Sequence, residues 1–89
     1  MAWRVEFDPK ALDDLSKLDK QTQRRIAKFL RERIAVDENP RRLGGPLHGE
    51  KKGLWKYRVG TYRLICDIRD ASILVLVLRV GNRKDIYRK

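Results

Sequence analysis

The sequence predicts an α+β fold: an N-terminal strand and a helical hairpin packed on a twisted antiparallel sheet, in the order β-α-α-β-β-β. Three observations carry this reading. Trp3, Val5 and Phe7 alternate with Arg4 and Glu6, the period of a strand with one buried face. Two segments with helical apolar spacing follow, each opened by an aspartate. Three apolar runs separated by short turns then complete a meander on which the helices can bury their apolar stripes. A chain of 89 residues has room for one small core, so residues 1–89 are expected to form a single domain.

Each element has a local reason. Asp8-Pro9 reads as an N-cap followed by proline at the first helical position, where its missing N–H costs nothing. Ala11, Leu12, Leu15 and Leu18 supply the stripe of a short helix. Asp19 caps a second helix whose stripe is Ile26, Phe29, Leu30 and Ile34. Pro40 disfavours helical backbone in the residue before it, so this helix ends by Asn39. Residues 40–53 hold Pro40, Gly44, Gly45, Pro46, Gly49 and Gly53 and read as a loop. Leu54 to Val59 and Tyr62 to Ile68 read as strands joined by Gly60-Thr61, a pairing that suits a type II′ turn. Arg69-Asp70-Ala71 makes the next turn, and Ile73 to Val80 the last strand.

Composition narrows the function. Twenty-two Lys and Arg against twelve Asp and Glu give a net charge of +10, a footprint common among nucleic-acid-binding proteins. The excess is uneven: residues 46–89 hold eleven basic and four acidic residues, and residues 51–66 hold five basic residues and no acid. A solvated surface, or an acidic protein partner, would give the same balance. With 42% hydrophobic residues the chain is no disordered basic tail. Charges at Arg4, Glu6 and Asp8 argue against a signal peptide, and Ile73 to Leu78 is too short to cross a bilayer. A lone cysteine, Cys66, allows no intrachain disulfide. A cytoplasmic location is the expectation.

The hairpin concentrates the basic residues. Alternation puts Lys56 and Arg58 on one face and Trp55, Tyr57 and Val59 on the other. With Gly60-Thr61 as the turn, Val59 pairs with Tyr62, Arg58 with Arg63, and Lys56 lies opposite Ile65. Two arginines facing each other destabilise a sheet unless something anionic offsets them. Asp67 is the one acid in this stretch, so a bound polyanion is the favoured reading; a plain exposed sheet face is the alternative. One histidine, His48, rules out a two-histidine acid–base pair within the chain. No cysteine pair or carboxylate–histidine cluster has metal-site spacing, so neither a metal nor another cofactor is expected. RNA leaves a metal-free route, in which its own 2′-hydroxyl attacks the adjacent phosphate. A catalyst must then take that proton, stabilise charge on phosphorus and protonate the leaving oxygen. Arginine's fixed fork of donors suits the second task. A lysine suits the first where crowded cations favour its neutral form.

Other candidates have blander readings. Trp55, Tyr57 and Tyr62 share the face opposite the basic cluster and read as core. Cys66 reads as a small buried residue rather than a nucleophile. Arg24, Arg25, Lys28 and Arg31 on the second helix either touch ribosomal RNA or are simply solvated.

The run Leu54-Trp55-Lys56-Tyr57-Arg58-Val59-Gly60-Thr61-Tyr62-Arg63-Leu64-Ile65 resembles the central hairpin of the RelE/ParE toxin superfamily. Phe7 to Ala11, Leu15 to Leu18, Arg42 to Gly49 and Val80 to Tyr87 extend the resemblance over nearly the whole chain. The set of basic residues resembles the RelE branch, whose members are ribosome-dependent mRNA interferases. The resemblance implies a RelE-like fold and catalytic roles for Lys56, Arg58, Arg63, Arg83 and Tyr87. Lys56 and Arg58 correspond to the basic pair of the first hairpin strand. Because arginine is a poor proton acceptor, Lys56 is the better candidate base. Arg63 and Arg83 correspond to phosphate-stabilising arginines, Arg83 also to a donor for the leaving group. Tyr87 corresponds to a tyrosine that positions a nucleotide. His48, Lys51, Lys52 and Lys84 are candidate RNA contacts, although His48 also reads as an ordinary loop residue. Implied partners are the ribosome with its mRNA and a RelB-like antitoxin. Implied products are a 2′,3′-cyclic phosphate and a 5′-hydroxyl. The alternatives are a ParE-like inhibitor of DNA gyrase and a basic RNA- or ribosome-binding module without catalysis.

Overall fold

The computed structural model describes residues 3–49 and 53–82. Strand β1 (Arg4–Phe7) leads into α1 (Pro9–Ser16) and α2 (Lys20–Phe29). Both expected caps are present: the Asp8 carboxylate accepts from the Lys10 N–H, and that of Asp19 accepts from the Thr22 N–H. Helix α2 continues into a wider π turn, Leu30–Ile34, closed by the Ala35 N–H donating to the Leu30 carbonyl at 2.8 Å. The wider turn keeps Leu30 and Ile34 on one side, and both are buried. A 3₁₀ turn (Pro40–Arg42) follows, then β2 (Gly45–Pro46), β3 (Trp55–Val59), β4 (Tyr62–Arg69), a second 3₁₀ turn (Asp70–Ser72) and β5 (Leu74–Asn82).

The α+β class is as expected, and β3, β4 and β5 form the antiparallel meander. Three particulars differ from the sequence reading. The sheet order is β1-β5-β4-β3-β2, with β1 joining β5 in parallel. Gly45–Pro46, inside the expected loop, adds a fifth strand by pairing with Trp55 and Lys56. Ile73 lies in the turn and not in the last strand, with a positive φ of 50°.

The helices cover one face of the sheet. Ala11, Ile26, Leu30 and Ile34 pack on Tyr57, Val59, Leu64, Cys66, Val75, Val77 and Val80. A register shift between Ile65 and Cys66 makes this possible: Cys66 faces Val77 while Ile65 faces Arg79. Leu78 is the extra residue of that bulge. Without it, strict alternation would send Val77 and Val80 to opposite faces. Trp55, Tyr57 and Cys66 therefore have the packing roles expected of them. Burial pushes the Tyr57 hydroxyl and the Cys66 thiol well above their ordinary pKa values, so Cys66 is not a ready nucleophile. No helix among the described residues is long and apolar enough to cross a membrane.

Candidate RNA-cleavage site

The hairpin register is the one the turn dictates. Val59 faces Tyr62, Arg58 faces Arg63, and Lys56 faces Ile65. Gly60 has a φ of +63°, while Thr61 is not among the positive-φ residues, as a type II′ turn requires. Lys56, Arg58 and Arg63 thus leave the sheet on the face away from the helices.

That face carries a pocket of about 240 Å³ lined by Gly44, Gly45, Lys56, Tyr57, Arg58 and Arg63. One wall is the loop before β2, which three contacts hold against β3. The Trp55 indole N–H donates to the Leu43 carbonyl at 2.8 Å, the Tyr57 hydroxyl donates to the Pro40 carbonyl, and Gly45 pairs with Lys56. Gly44 makes the approach possible. Its φ is +78°, and a Cβ there would stand 2.2 Å from the Lys56 carbonyl oxygen and 2.7 Å from the Trp55 Nε1. Only glycine fits.

The three cations differ in exposure. Arg58 is exposed, Lys56 is half-buried, and Arg63 is buried at 9% exposure. A buried guanidinium has its donors fixed in direction, which suits a group that must meet a phosphate in one geometry.

Four aspartates among the described residues pair with arginines outside this pocket. Asp67, the carboxylate closest in sequence, pairs with Arg69 at 2.9 Å. Asp70 holds Arg41 through two hydrogen bonds of 2.9 and 2.8 Å. Asp14 holds Arg79 at 2.9 Å, and Asp37 holds Arg42 at 3.2 Å. Hydrogen bonding and charge from Arg41 keep the Asp70 carboxyl below its ordinary pKa. Among the described residues no ion pair engages Lys56 or Arg58.

The structure therefore brings Lys56, Arg58 and Arg63 to one pocket. His48 is exposed in the loop after β2 and does not line it. Lys51, Lys52, Arg83, Lys84 and Tyr87 lie outside the described residues. Sequence reasoning missed Gly44 and Gly45. The glycine doublet was a signal, but it marks any loop, and only the partner strand shows why a side chain is excluded. Among the described residues no group of three or more His, Cys, Asp or Glu is placed to hold a metal ion.

Residues 5–87 match the family described as the ParE toxin of type II toxin-antitoxin systems, parDE, and the chain belongs to that family. It is similar to toxin RelG of Mycobacterium tuberculosis, 37% identical over 89 residues and the full length of both chains. It is also similar to the mRNA interferase toxin RelE of Escherichia coli, 33% identical over 85 residues, 94% of this chain and 86% of that one. Among solved structures, the toxin–antitoxin complex RelBE2 of Mycobacterium tuberculosis contains a chain that superposes with a TM-score of 0.84 at 34% identity, covering 96% of this chain and 95% of that one. The protein is a RelE-like type II toxin.

Proposed function

We propose that this toxin is an endoribonuclease that enters the ribosomal A site and cuts mRNA without a metal. The observation that carries the reading is the convergence of Lys56, Arg58 and Arg63 on one pocket, with neither Lys56 nor Arg58 paired to an acid among the described residues. The relative named as an mRNA interferase supports it. Lys56 accepts the 2′-hydroxyl proton as that oxygen attacks phosphorus. Arg63 and Arg58 bind the phosphoryl oxygens as negative charge builds on them. The bond to the 5′-oxygen breaks, leaving a 2′,3′-cyclic phosphate and a 5′-hydroxyl. By the family resemblance, Arg83 protonates the leaving oxygen and Tyr87 positions the nucleotide. The described part of the pocket offers cations and glycines rather than the carboxylate oxygens a Mg²⁺ ion takes, in keeping with metal-free chemistry.

The pocket is open and has few elements to force an RNA strand into in-line geometry. The ribosome supplies that constraint by holding the message, so free RNA is a poor substrate. The site of action is then the cytoplasm. A RelB-like antitoxin is the natural partner, as in the RelBE2 complex, and an acidic segment in it suits a charge of +10.

The family's ParE description favours a second reading, inhibition of DNA gyrase. One experiment separates the two. The toxin is induced in bacteria, mRNA 5′ ends are mapped, and gyrase supercoiling is assayed in parallel. Codon-phased cuts that vanish in the folded Lys56→Ala, Arg63→Ala double variant support the nuclease. Blocked supercoiling with intact messages replaces it by the gyrase reading.

A further inference from the structure

The end of the sheet that carries the basic pocket has a second recess on its other, helix-covered side. It measures about 480 Å³, twice the first, and lies within the size range of small-ligand sites. Its walls are Lys17 and Leu18 past the end of α1, Tyr62 at the start of β4, and Gly81 and Asn82 at the end of β5. Tyr62 directly precedes Arg63, so their Cα atoms are about 3.8 Å apart while their side chains leave opposite faces of the strand. Asn82 is the cross-strand partner of Tyr62 and shares its face.

The charges of this recess are sorted. Asp14, which also lines it, accepts from Arg79 Nε at 2.9 Å and from the Val80 N–H at 2.9 Å. Its negative charge is therefore matched and does not repel an anion. Lys17 pairs with Asp13 at 3.2 Å, but both side chains are more than 60% exposed, so the pair is weak and yields readily to a phosphate. Arg25 of α2 lies over the hairpin turn: a Cβ on Gly60 would stand 3.0 Å from its Nη1. Cations thus run from Lys56, Arg58 and Arg63 on one face, past Gly60-Thr61, to Arg25 and Lys17 on the other.

The geometry points to a second nucleotide subsite for the same RNA strand. The strand whose scissile phosphate sits between Arg58 and Arg63 turns around the sheet end, stacks the neighbouring base on Tyr62 beside the Asn82 amide, and lays its next phosphate between Arg25 and Lys17. Aromatic stacking with flanking cations is how proteins hold single strands without a duplex groove. This inference rests on the nuclease reading of the basic pocket and adds a residue that sets which nucleotides are held.

The test compares two probes that the enzyme cannot cleave, uridine 3′-monophosphate and a 2′-O-methylated uridine trinucleotide. The intact chain should bind the trinucleotide about tenfold more tightly than the mononucleotide, the gain expected of one stacked base. Tyr62→Leu should erase that gain and leave mononucleotide affinity unchanged, while Tyr62→Phe keeps it. Arg25→Gln, an exposed change that spares the core, should weaken only the trinucleotide and make its binding less salt-dependent. Melting curves establish that each variant is folded. Equal binding of the two probes by the intact chain, or a Phe variant as weak as the Leu variant, overturns the subsite while the basic pocket stands. Failure of the intact chain to bind either probe overturns the subsite as well, while the nuclease reading is decided separately by the mapped mRNA 5′ ends.

Discussion

Arg63 and Arg58 face each other across the hairpin, yet one is buried and the other exposed. The buried guanidinium is held in direction by its surroundings and the exposed one is not, so they should not contribute equally. Replacing Arg63 with lysine keeps the charge but loses the fork of donors. The cleavage rate on ribosomes should then fall about a hundredfold, the usual cost of removing one preorganised donor. Arg58→Lys should lose far less. A comparable loss at both positions, measured by primer extension on ribosome-bound message, would mean that burial does not distinguish them. Gly44 acts on the same pocket through the backbone. Gly44→Ala meets a left-handed backbone cost of about 1–2 kcal/mol, and its Cβ collides with the Lys56 carbonyl. Denaturant unfolding should show a loss of about 2 kcal/mol or more, and the pocket wall should separate from β3.

At the scale of elements, the link between α1 and β5 has a definite pH signature. Beyond Phe7, strand β1 no longer covers β5, and the Asp14 carboxylate takes the Val80 N–H that a strand would otherwise pair. Burial opposes the charge on Asp14, but hydrogen bonds from Arg79 and Val80 and the Arg79 charge outweigh it and hold the pKa below its ordinary value. A carboxyl with a depressed folded pKa stabilises the fold above its unfolded pKa of about 3.9, and that contribution disappears as pH falls through the folded value. Asp14→Asn should cost about 1–2 kcal/mol at pH 7, and the gap from the parent should close below about pH 4. A gap independent of pH would show that the charge is irrelevant. This link was not legible in the sequence, because 65 residues separate Asp14 from Arg79. The hairpin register was legible, since Gly60-Thr61 fixes every pair that follows from it. The parallel partner of β1 was not, because a four-residue alternation states a buried face and no neighbour. A two-residue strand made of glycine and proline has no strand signal at all. Ile73 opens a nearly continuous apolar run and so reads as strand, and its left-handed backbone emerges only from the turn that closes onto Asp70. Ile73→Asn should relieve that strain and raise stability by about 0.5–1 kcal/mol, read as a higher denaturant midpoint.

For the molecule as a whole, the sign of the charge matters less than its distribution. Asp14, Asp37, Asp67 and Asp70 each pair with an arginine outside the basic pocket, so the acids neutralise the scaffold and leave the hairpin face cationic. On the nuclease reading this face binds RNA largely by releasing the counterions condensed on its phosphates. Each neutralised phosphate on a single strand contributes about −0.7 to the slope of log affinity against log salt concentration. Two phosphates, one between Arg58 and Arg63 and the next between Arg25 and Lys17, give a slope of about −1.4 for a short single-stranded RNA. Releasing the first, in a folded Arg58→Gln, Arg63→Gln variant, should bring the slope to about −0.7. Fluorescence anisotropy across a salt series measures both. A double variant that loses affinity but keeps the parental slope would mean that Arg58 and Arg63 shape the pocket without contributing their charge to the strand.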